Sequence, residues 1–501
     1  MKRYVMFCSS AQHWMQLGID LKNGRIAEPC LWIGDDSHYN SAINEFGNQY
    51  VKKLSELRYF AGDEIDISYK GELAEFLLTD QYFFTKDICL KMMDRLDDTG
   101  SMSRLDREVW YHNVVIWTLK HFQEFRPDFL LMSEAPHNHA QYAIFEICKF
   151  LEVPILKFTS LLPVPILLPH HLTDSGYVKL NYAHPSQTLN NLYENLTLYI
   201  SNRITELTGK DPVDPKHLRQ LQEKSSSLSF FFSEFKREFK NNFRFLKYPK
   251  TWFINKYKSE NPLGLWYFLV QLIVLKRRSN LYHEMKKEII KEPDLDSLEY
   301  VYYPLHYEPE RTTNPDGGIF QDQLINLLLL RKFLPESIKI VVKEHPSQFL
   351  KARTGYRGRS PLFYRQVRNI KGLVLVDDKF SSISLIKGSI AVATISGTVG
   401  FEAACMGKQC ILFGEAWFNG MPNVFNFHSF DNYEDFNNEP ISDVKEINHF
   451  FKNEIFSSGL AGFQNLSTAS RISDFLTDEF YSDQRLGLIN CCTNFINDHV
   501  S

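Results

Sequence analysis

Residues 390–413 read IAVATISGTVGFEAACMGKQCILF. The apolar run 390–394 predicts a buried strand, and the small residues 396–398 predict a tight turn. Residues 399–406 then predict a short helix, which leads through Gly407 and Lys408 into a second apolar strand at 410–413. Two strands joined through a helix run parallel, so this stretch predicts a parallel sheet with helices on its faces.

The same alternation of strand and helix continues upstream. Further apolar runs of strand length occur at 3–8, 127–132, 153–156, 298–305, 338–342 and 373–376. Helical spacing of apolar residues occurs at 140–150 and 324–333. The predicted fold class is therefore α/β and GT-B-like, with two Rossmann-like, doubly wound lobes and a helical middle section. The predicted domains are 1–190, 191–295, 296–480 and a C-terminal helix over 481–501.

Length and composition exclude several classes of protein. The 501 residues suit two domains, and 44% hydrophobic residues with a net charge of −4 argue against disorder and against bulk nucleic-acid binding. The eight cysteines show neither a CxxC pair nor zinc spacing, which fits a reducing cytosol. The apolar run behind Met1 is too short for an export signal, and the apolar run 263–275 is too short to cross a bilayer.

The middle section has a charge opposite to that of the whole chain. Between residues 230 and 291 there are fourteen Lys or Arg against five Glu, a local net charge of +9. Phe232, Phe235, Phe239 and Phe243 recur at helical spacing among these basic residues. Such a segment could lie on an anionic membrane surface, or its phenylalanines could pack against the protein while its lysines are solvated.

The turn at 396–398 is the sharpest chemical signal. A strand that ends in Ser396, Gly397 and Thr398 and opens a helix directs backbone N–H groups, hydroxyls and the helix dipole at one place, which suits a phosphate. Glu402, one turn into the helix, could accept a ribose hydroxyl. The motif is neither GxGxxG nor a Walker loop, which argues against a dehydrogenase or an ATPase. The alternative is an ordinary helix start after a strand.

Two further loops follow predicted strands of the second lobe. Lys343 and His345 end the 338–342 strand before Pro346, where the imidazole could donate to a phosphate or carboxylate. The loop after the 298–305 strand carries His306, two carboxylates, Glu308 and Glu310, and then Arg311. A carboxylate there could attack an anomeric carbon, although surface turns also carry such acids.

The first lobe has a matching polar loop at 133–139. Glu134 follows the 127–132 strand, where it would face the cleft between the lobes and could act as acid/base, or could simply compensate a helix dipole. No group of acidic residues, histidines or cysteines has the spacing of metal ligands, so we predict no obligatory metal.

Together, the loops at 304–310, 343–346 and 396–404 resemble those of bacterial capsular polysaccharide biosynthesis proteins, and in particular the retaining β-Kdo glycosyltransferases. The resemblance covers mainly 298–420 and, more loosely, 128–158. It implies a metal-independent GT-B enzyme that needs no cofactor and uses a CMP-linked ulosonic acid as donor. The nucleotide sugar would bind the 296–480 lobe and the acceptor the 1–190 lobe.

The resemblance also assigns roles to residues. Glu310, with Glu308 the next candidate, matches the acidic nucleophile, His345 matches a histidine near the donor carboxylate or phosphate, and Ser396 begins the matching Ser-Gly loop. Arg311 and Lys343 could supply positive charge to the donor. The chain departs from the family pattern with His306 where Gln is usual and Glu310 where Asp is usual.

The sequence is also compatible with other hypotheses for the function. A GT-B enzyme could use another donor, as a UDP-sugar transferase, a CDP-glycerol phosphotransferase or a nucleotide-sugar 2-epimerase does. An inactive polysaccharide-assembly scaffold would keep the fold alone. The expected partners are a nucleotide sugar and a glycan or glycolipid acceptor but no nucleic acid, and the expected location is the cytoplasm, with peripheral contact to the inner membrane through 230–291.

Overall fold

A computed structural model of the chain describes residues 1–58, 72–95, 103–161, 164–173, 176–208, 276–277, 280–290, 293–349, 355–465 and 472–500. The chain divides into two compact units. The first unit comprises Met1–Met93, Ser103–Ile200 and Asn448–Ser501, and the second comprises Asp94–Met102 and Ser201–Ile447.

Strands and helices alternate along most of the described chain. The strands are β1 Lys2–Cys8, β2 Ala27–Gly34, β3 Val51–Lys53, β4 Phe129–Met132, β5 Ile155–Ser160, β6 Ile166–Thr173, β7 Gly176–Lys179, β8 Tyr300–Pro304, β9 Lys339–Lys343, β10 Leu373–Val376, β11 Ala391–Thr394, β12 Gln409–Leu412, β13 Val424–Asn426 and β14 Leu460–Ala461. The helices are α1 Gln12–Asn23, α2 Tyr39–Phe46, α3 Leu54–Arg58, α4 Glu72–Leu77, α5 Asp80–Met92, α6 Arg104–Phe125, α7 His139–Phe150, α8 Gln187–Thr208, α9 Gln323–Phe333, α10 Pro361–Asn369, α11 Ser382–Gly388, α12 Thr398–Cys405, α13 Tyr433–Asn437, α14 Val444–Ser458 and α15 Asp478–His499. Residues 280–288 are also helical.

The first unit is built on a sheet in the order β14-β6-β5-β4-β1-β2-β3, with β7 paired to β6. The strands from β5 through β4, β1 and β2 to β3 are parallel, whereas β6, β7 and β14 are antiparallel additions at one edge. After β1, the chain adds β2 and β3 on one side of β1 in the sheet, and then adds β4 and β5 on the opposite side of β1. The direction in which strands are added therefore reverses between β1 and β4, whose carboxyl ends lie side by side.

The second unit holds a parallel sheet in the order β10-β9-β8-β11-β12-β13. Successive residues of β8 point to opposite faces: Tyr300 and Tyr302 pack in one apolar cluster, and Val301 and Tyr303 in another. Both faces are thus buried under helices, which explains why its strands are continuous apolar runs. The order reverses between β8 and β11.

The prediction of an α/β fold with two Rossmann-like lobes is confirmed. The division of the chain differs at its C-terminal end from the predicted domains, because residues 448–501 pack with the first unit. β14 pairs with β6, and Arg485 of α15 binds Asp20 of α1 through two hydrogen bonds of 2.6 and 2.7 Å.

Most of the basic middle section, including the phenylalanine stripe, lies outside the described residues. Its described end, 280–290, packs on the second unit, where Leu281 and Met285 join the apolar core. Within the ranges given above, no helix combines the length and the apolar character that a bilayer span needs.

Candidate functional site

The candidate site of the second unit lies where its strand order reverses, at the carboxyl ends of β8 and β11. In open α/β sheets, ligands bind in the crevice at such a reversal because the neighbouring loops diverge to opposite faces. Here the two loops touch: the Ser396 hydroxyl donates to the Thr312 carbonyl at 2.8 Å. The sequence motifs at 306–311 and 396–398 are therefore brought together.

His306 joins these two loops from beneath. Its Nε2 accepts the Ile395 N–H at 3.2 Å and lies 2.9 Å from the Thr394 hydroxyl, which in turn accepts the Gly397 N–H at 3.2 Å. Burial of the ring, together with the smaller effect of the nearby Arg359 guanidinium, lowers the pKa of His306 to about 4. The imidazole is therefore neutral at pH 7, with Nε2 the acceptor nitrogen.

Glu308 is buried and held at both its backbone and its side chain. Gln348 accepts the Glu308 N–H and donates to the Glu308 carbonyl, each at 2.9 Å, while Gln323 donates to the Glu308 carboxylate at 3.1 Å. Gly358 lies against this residue so closely that an added Cβ would come within 2.3 Å of the Glu308 Cβ. Glu308 is thus part of the rigid base of the loop.

A fully buried ion pair supports the same loop. Arg359 donates to the two carboxylate oxygens of Glu344 at 2.9 and 3.2 Å and to the His306 carbonyl at 2.7 Å. The Tyr364 hydroxyl donates to Glu344 at 2.6 Å. Burial opposes the charge of Arg359, but the Glu344 carboxylate outweighs it and raises the pKa of the guanidinium. This pair locks the loops after β8 and β9 together.

Glu310 and Arg311 sit above this base and are half-buried. The Thr312 hydroxyl lies 3.4 Å from a Glu310 carboxylate oxygen, and Arg311 Nε lies 3.5 Å from an Asp316 carboxylate oxygen. Arg95 belongs to the same unit and lies within electrostatic range of this loop; burial lowers its pKa to about 10, and Asp316 opposes that shift. Both carboxylates and guanidinium groups therefore lie in the neighbourhood of Glu310.

The loop after β9 places His345 and Lys343 differently. His345 is half-buried, and its Nδ1 accepts the Ser347 N–H at 3.1 Å, so the neutral ring carries its proton on Nε2 and can donate from there. Lys343 is buried, and its ammonium donates to the Phe380 carbonyl at 2.8 Å and to the Ser382 hydroxyl at 2.7 Å. Lys343 thus ties β9 to the loop after β10.

The turn after β11 opens α12 as the sequence motif predicts. Gly397 is the residue before the helix and has no side chain that could cap the first N–H groups; Thr398 is exposed and begins the helix. Glu402 pairs with Arg203 of α8, and this carboxylate raises the pKa of the guanidinium against the effect of burial. The predicted ribose contact of Glu402 would therefore have to share its carboxylate with Arg203.

Glu134 lies in the first unit, at the corresponding reversal between β1 and β4. One carboxylate oxygen accepts from Asn465 at 3.1 Å, and the other lies 3.6 Å from His137 Nδ1. The Glu134 side chain is 14% exposed. Beside it, the Ser9 N–H donates to the Ser133 hydroxyl at 3.1 Å, which joins the loops after β1 and β4.

The chemistry available at these two places is that of anion binding and carboxylate catalysis. The second unit offers a helix start preceded by glycine, a histidine N–H donor, and guanidinium groups in the neighbourhood of a half-buried carboxylate. Among the described residues, no three His, Cys, Asp or Glu side chains cluster as metal ligands. All eight cysteines lie in the described part of the chain and are buried and unpaired.

Residues 244–430 match the sequence model of a family described as "Capsule polysaccharide biosynthesis protein". This segment resembles that family. The match confirms the resemblance predicted from the motifs, and the capsule-family segment contains all the candidate residues of the second unit. Glu134 lies outside it. No curated protein matches the sequence significantly.

Several solved structures are similar to larger parts of the chain at low identity. A β-Kdo 2,7-transferase, KpsC from Thermosulfurimonas dismutans, is 11% identical over 78% of this chain and 90% of its own, with a TM-score of 0.28. The β-Kdo 2,4-transferase of the same KpsC is 14% identical over 64% of this chain and 78% of its own, with a TM-score of 0.27. A UDP-GlcNAc 2-epimerase from Methanocaldococcus jannaschii is 11% identical over 95% of this chain and 99% of its own, with a TM-score of 0.20. Similarities at identities of 11–14% do not assign an activity to this chain.

The sequence motifs did not reveal the residues that support the candidate site of the second unit. Glu344, Arg359 and Gln348 were missed, although Glu344 stands directly beside His345. A charged residue at the end of an apolar strand requires a buried partner, and this was the signal that could have pointed to an arginine nearby.

Proposed function

We propose that this protein is a glycosyltransferase of bacterial surface polysaccharide biosynthesis. It would transfer a Kdo-like ulosonic acid from a CMP-sugar to a glycan or glycolipid acceptor, with retention of configuration and without a metal. The observation that carries the proposal is the joining of the Glu310 loop to the 396–398 turn by the Ser396–Thr312 hydrogen bond, inside the segment that matches the capsule family.

The donor fits the chemistry of the second unit. A CMP-ulosonic acid carries one carboxylate and one phosphate, so its site needs N–H dipoles, hydroxyls and a few cations. The start of α12 with Ser396 and Thr398 would bind the phosphate, and the Nε2–H of His345 and the guanidinium of Arg311 would bind the carboxylate. Lys343 and His306 would act from below, by holding the loops that carry these groups.

In the proposed reaction, the Glu310 carboxylate attacks the anomeric carbon while the bond from this carbon to the phosphate oxygen breaks and CMP leaves. An acceptor hydroxyl then attacks the same carbon, its proton passes to Glu134, and the bond to Glu310 breaks. Two inversions give net retention. Glu310 is preferred over Glu308 as nucleophile because Glu308 is buried and receives the Gln323 hydrogen bond.

The experiment is to incubate the purified protein with an acceptor glycan and a panel of CMP- and UDP-sugars, and to identify the nucleotide released. CMP release from a CMP-ulosonic acid, lost by at least about 100-fold in Glu310→Gln while that variant keeps its thermal unfolding midpoint, supports the proposal. Turnover of a UDP-sugar or CDP-glycerol would reject the donor, and an inverted product would reject the mechanism.

We further propose that the basic section 230–291 brings the protein to the cytoplasmic face of the membrane, where a lipid-linked acceptor would lie. Replacing Lys236, Arg237, Lys240 and Arg244 together by Gln should weaken cosedimentation with anionic vesicles. Unchanged cosedimentation would show that these residues do not bind the membrane.

A further inference from the structure

The segment that follows α14 runs along the first unit toward Glu134. Leu460 and Ala461 pair with Leu167 and Ile166 of β6, and the Gly462 N–H donates to the Pro165 carbonyl at 2.8 Å. A Cβ at position 462 would come within 2.7 Å of Leu167 Cδ1, so any larger residue would force the Leu167 side chain to shift. The backbone of this C-terminal segment is thereby fixed at the edge of the sheet.

Gln464 anchors the segment after β14 to β5, to the loop after β1 and to the start of α1 through hydrogen bonds. Its side-chain amide donates to the Phe158 carbonyl of β5 at 2.7 Å. Its own carbonyl accepts from the Trp14 indole N–H at 2.9 Å and from the Ser9 hydroxyl. Gln464 thus spans β5, the start of α1 and the loop after β1, and leaves the following residue beside the loop after β4.

Asn465 is that following residue. Its Nδ2 donates to Glu134 Oε2 at 3.1 Å, while His137 Nδ1 lies 3.6 Å from Glu134 Oε1. Each carboxylate oxygen therefore has its own neighbour, one from α7's loop and one from a segment 331 residues later in the chain. An amide donor to one oxygen fixes the rotation of a carboxylate.

From these contacts we infer that Asn465 is a positioning residue for Glu134, and that the segment 460–465 completes the acceptor-side site of the first unit. The inference rests on the proposed role of Glu134 as the group that takes the acceptor proton. Asn465 would hold the carboxylate turned toward the incoming hydroxyl, so the C-terminal segment would be needed for transfer although it carries no reacting atom.

The first test does not depend on activity. The full-length protein is labelled with a water-soluble carbodiimide and glycine ethyl ester, and the modification of Glu134 is followed by peptide mass spectrometry. In Asn465→Ala, loss of one hydrogen bond should raise the labelling rate of Glu134 about fivefold. Asn465→Gln, which keeps an amide donor, should label nearly as the wild type does, and so should Asn453→Ala, which changes an exposed asparagine of the same unit.

The second test uses transfer. Asn465→Asp replaces the donor by a carboxylate, and two adjacent carboxylates oppose each other's ionisation, so the acid-side loss of rate should move to higher pH while the KM for the donor stays unchanged. In a Glu134→Gln background the same substitution should cause no further loss. Asn453→Asp is the matched control.

Equal labelling rates of Glu134 in Asn465→Ala and in wild type would overturn the inference. So would a loss of transfer rate from Asn465→Asp that is as large in the Glu134→Gln background as in the wild-type background. If the wild type turns over no activated sugar, the labelling rates still decide the role of Asn465, and the proposed function fails separately.

Discussion

His306 makes the second unit sensitive to acid in a way that can be calculated. Its pKa falls from 6.5 to about 4 on folding, because the ring is buried and lies near Arg359. The folded state therefore binds fewer protons than the unfolded state between these values, so this contribution to stability is complete above pH 6.5 and is lost as the pH falls toward 4. At 1.36 kcal/mol per pKa unit, the loss by pH 4 is about 3 kcal/mol.

Structurally, protonation of Nε2 would remove the acceptor of the Ile395 N–H and the Thr394 hydroxyl. His306→Gln supplies an amide oxygen in place of Nε2 and does not titrate. We therefore expect the variant to lose about 3 kcal/mol less than wild type between pH 7 and pH 4.

The assay is urea unfolding at several pH values, with hydrogen exchange of peptides covering 300–308 and 391–398 to isolate the second unit, since the two units need not unfold together. His13 and His170 of the first unit, whose pKa values burial lowers to about 3, contribute equally in both proteins and cancel. His428→Gln, at an exposed histidine of the second unit, is the matched control. If wild type and His306→Gln lost the same free energy of unfolding between pH 7 and pH 4, the reasoning would be refuted.

Three further changes test the supports of the site. Arg359→Met should destabilise the second unit by about 3–5 kcal/mol, because it leaves the Glu344 carboxylate buried without its counter-ion. In urea unfolding, the double variant Glu344→Leu/Arg359→Met should lose less stability than the sum of the losses in the two single variants. Strictly additive losses would contradict the pairing of the two residues. Gly358→Ala should cost about 1–3 kcal/mol and lower transfer, since its Cβ would strike Glu308; an unchanged melting temperature would show that the loop yields freely. Gly487→Ala, within α15, is the contrasting case, because the added Cβ would lie at an ordinary contact distance of 3.4 Å from His184. Since alanine favours a helix more than glycine does, the same melting measurement should show stabilisation of about 0.5–1 kcal/mol.

The architecture was largely predictable from the sequence because both faces of the second sheet are buried. A strand covered on both sides reads as an unbroken apolar run, and the predicted strand 373–376 coincides with β10. The predicted helix 399–406 lies within one residue of α12 at each end. The return of residues 448–501 to the first unit was not predictable, because the antiparallel pairing of Leu460 with Leu167 depends on contacts far apart in the sequence.

The site was predictable as a set of loops but not as a set of contacts. A turn that follows a strand indicates where Glu310 and Ser396 must lie, because parallel strands end at one edge. It does not indicate that Glu402 pairs with Arg203, 199 residues earlier, or that the Lys343 ammonium reaches the Phe380 carbonyl. Side-chain pairing across such separations depends on tertiary packing, which local patterns do not encode.

The most direct measurement of the central claim is to find where the sugar becomes attached during turnover. The protein, with Glu134→Gln to slow the second displacement, is mixed with a CMP-ulosonic acid, quenched with acid and digested for mass spectrometry. We predict a peptide that contains Glu310 and carries the added mass of one sugar, absent from Glu310→Gln. An adduct on a peptide from another part of the chain, or CMP release without any adduct in either protein, would contradict the proposed nucleophile.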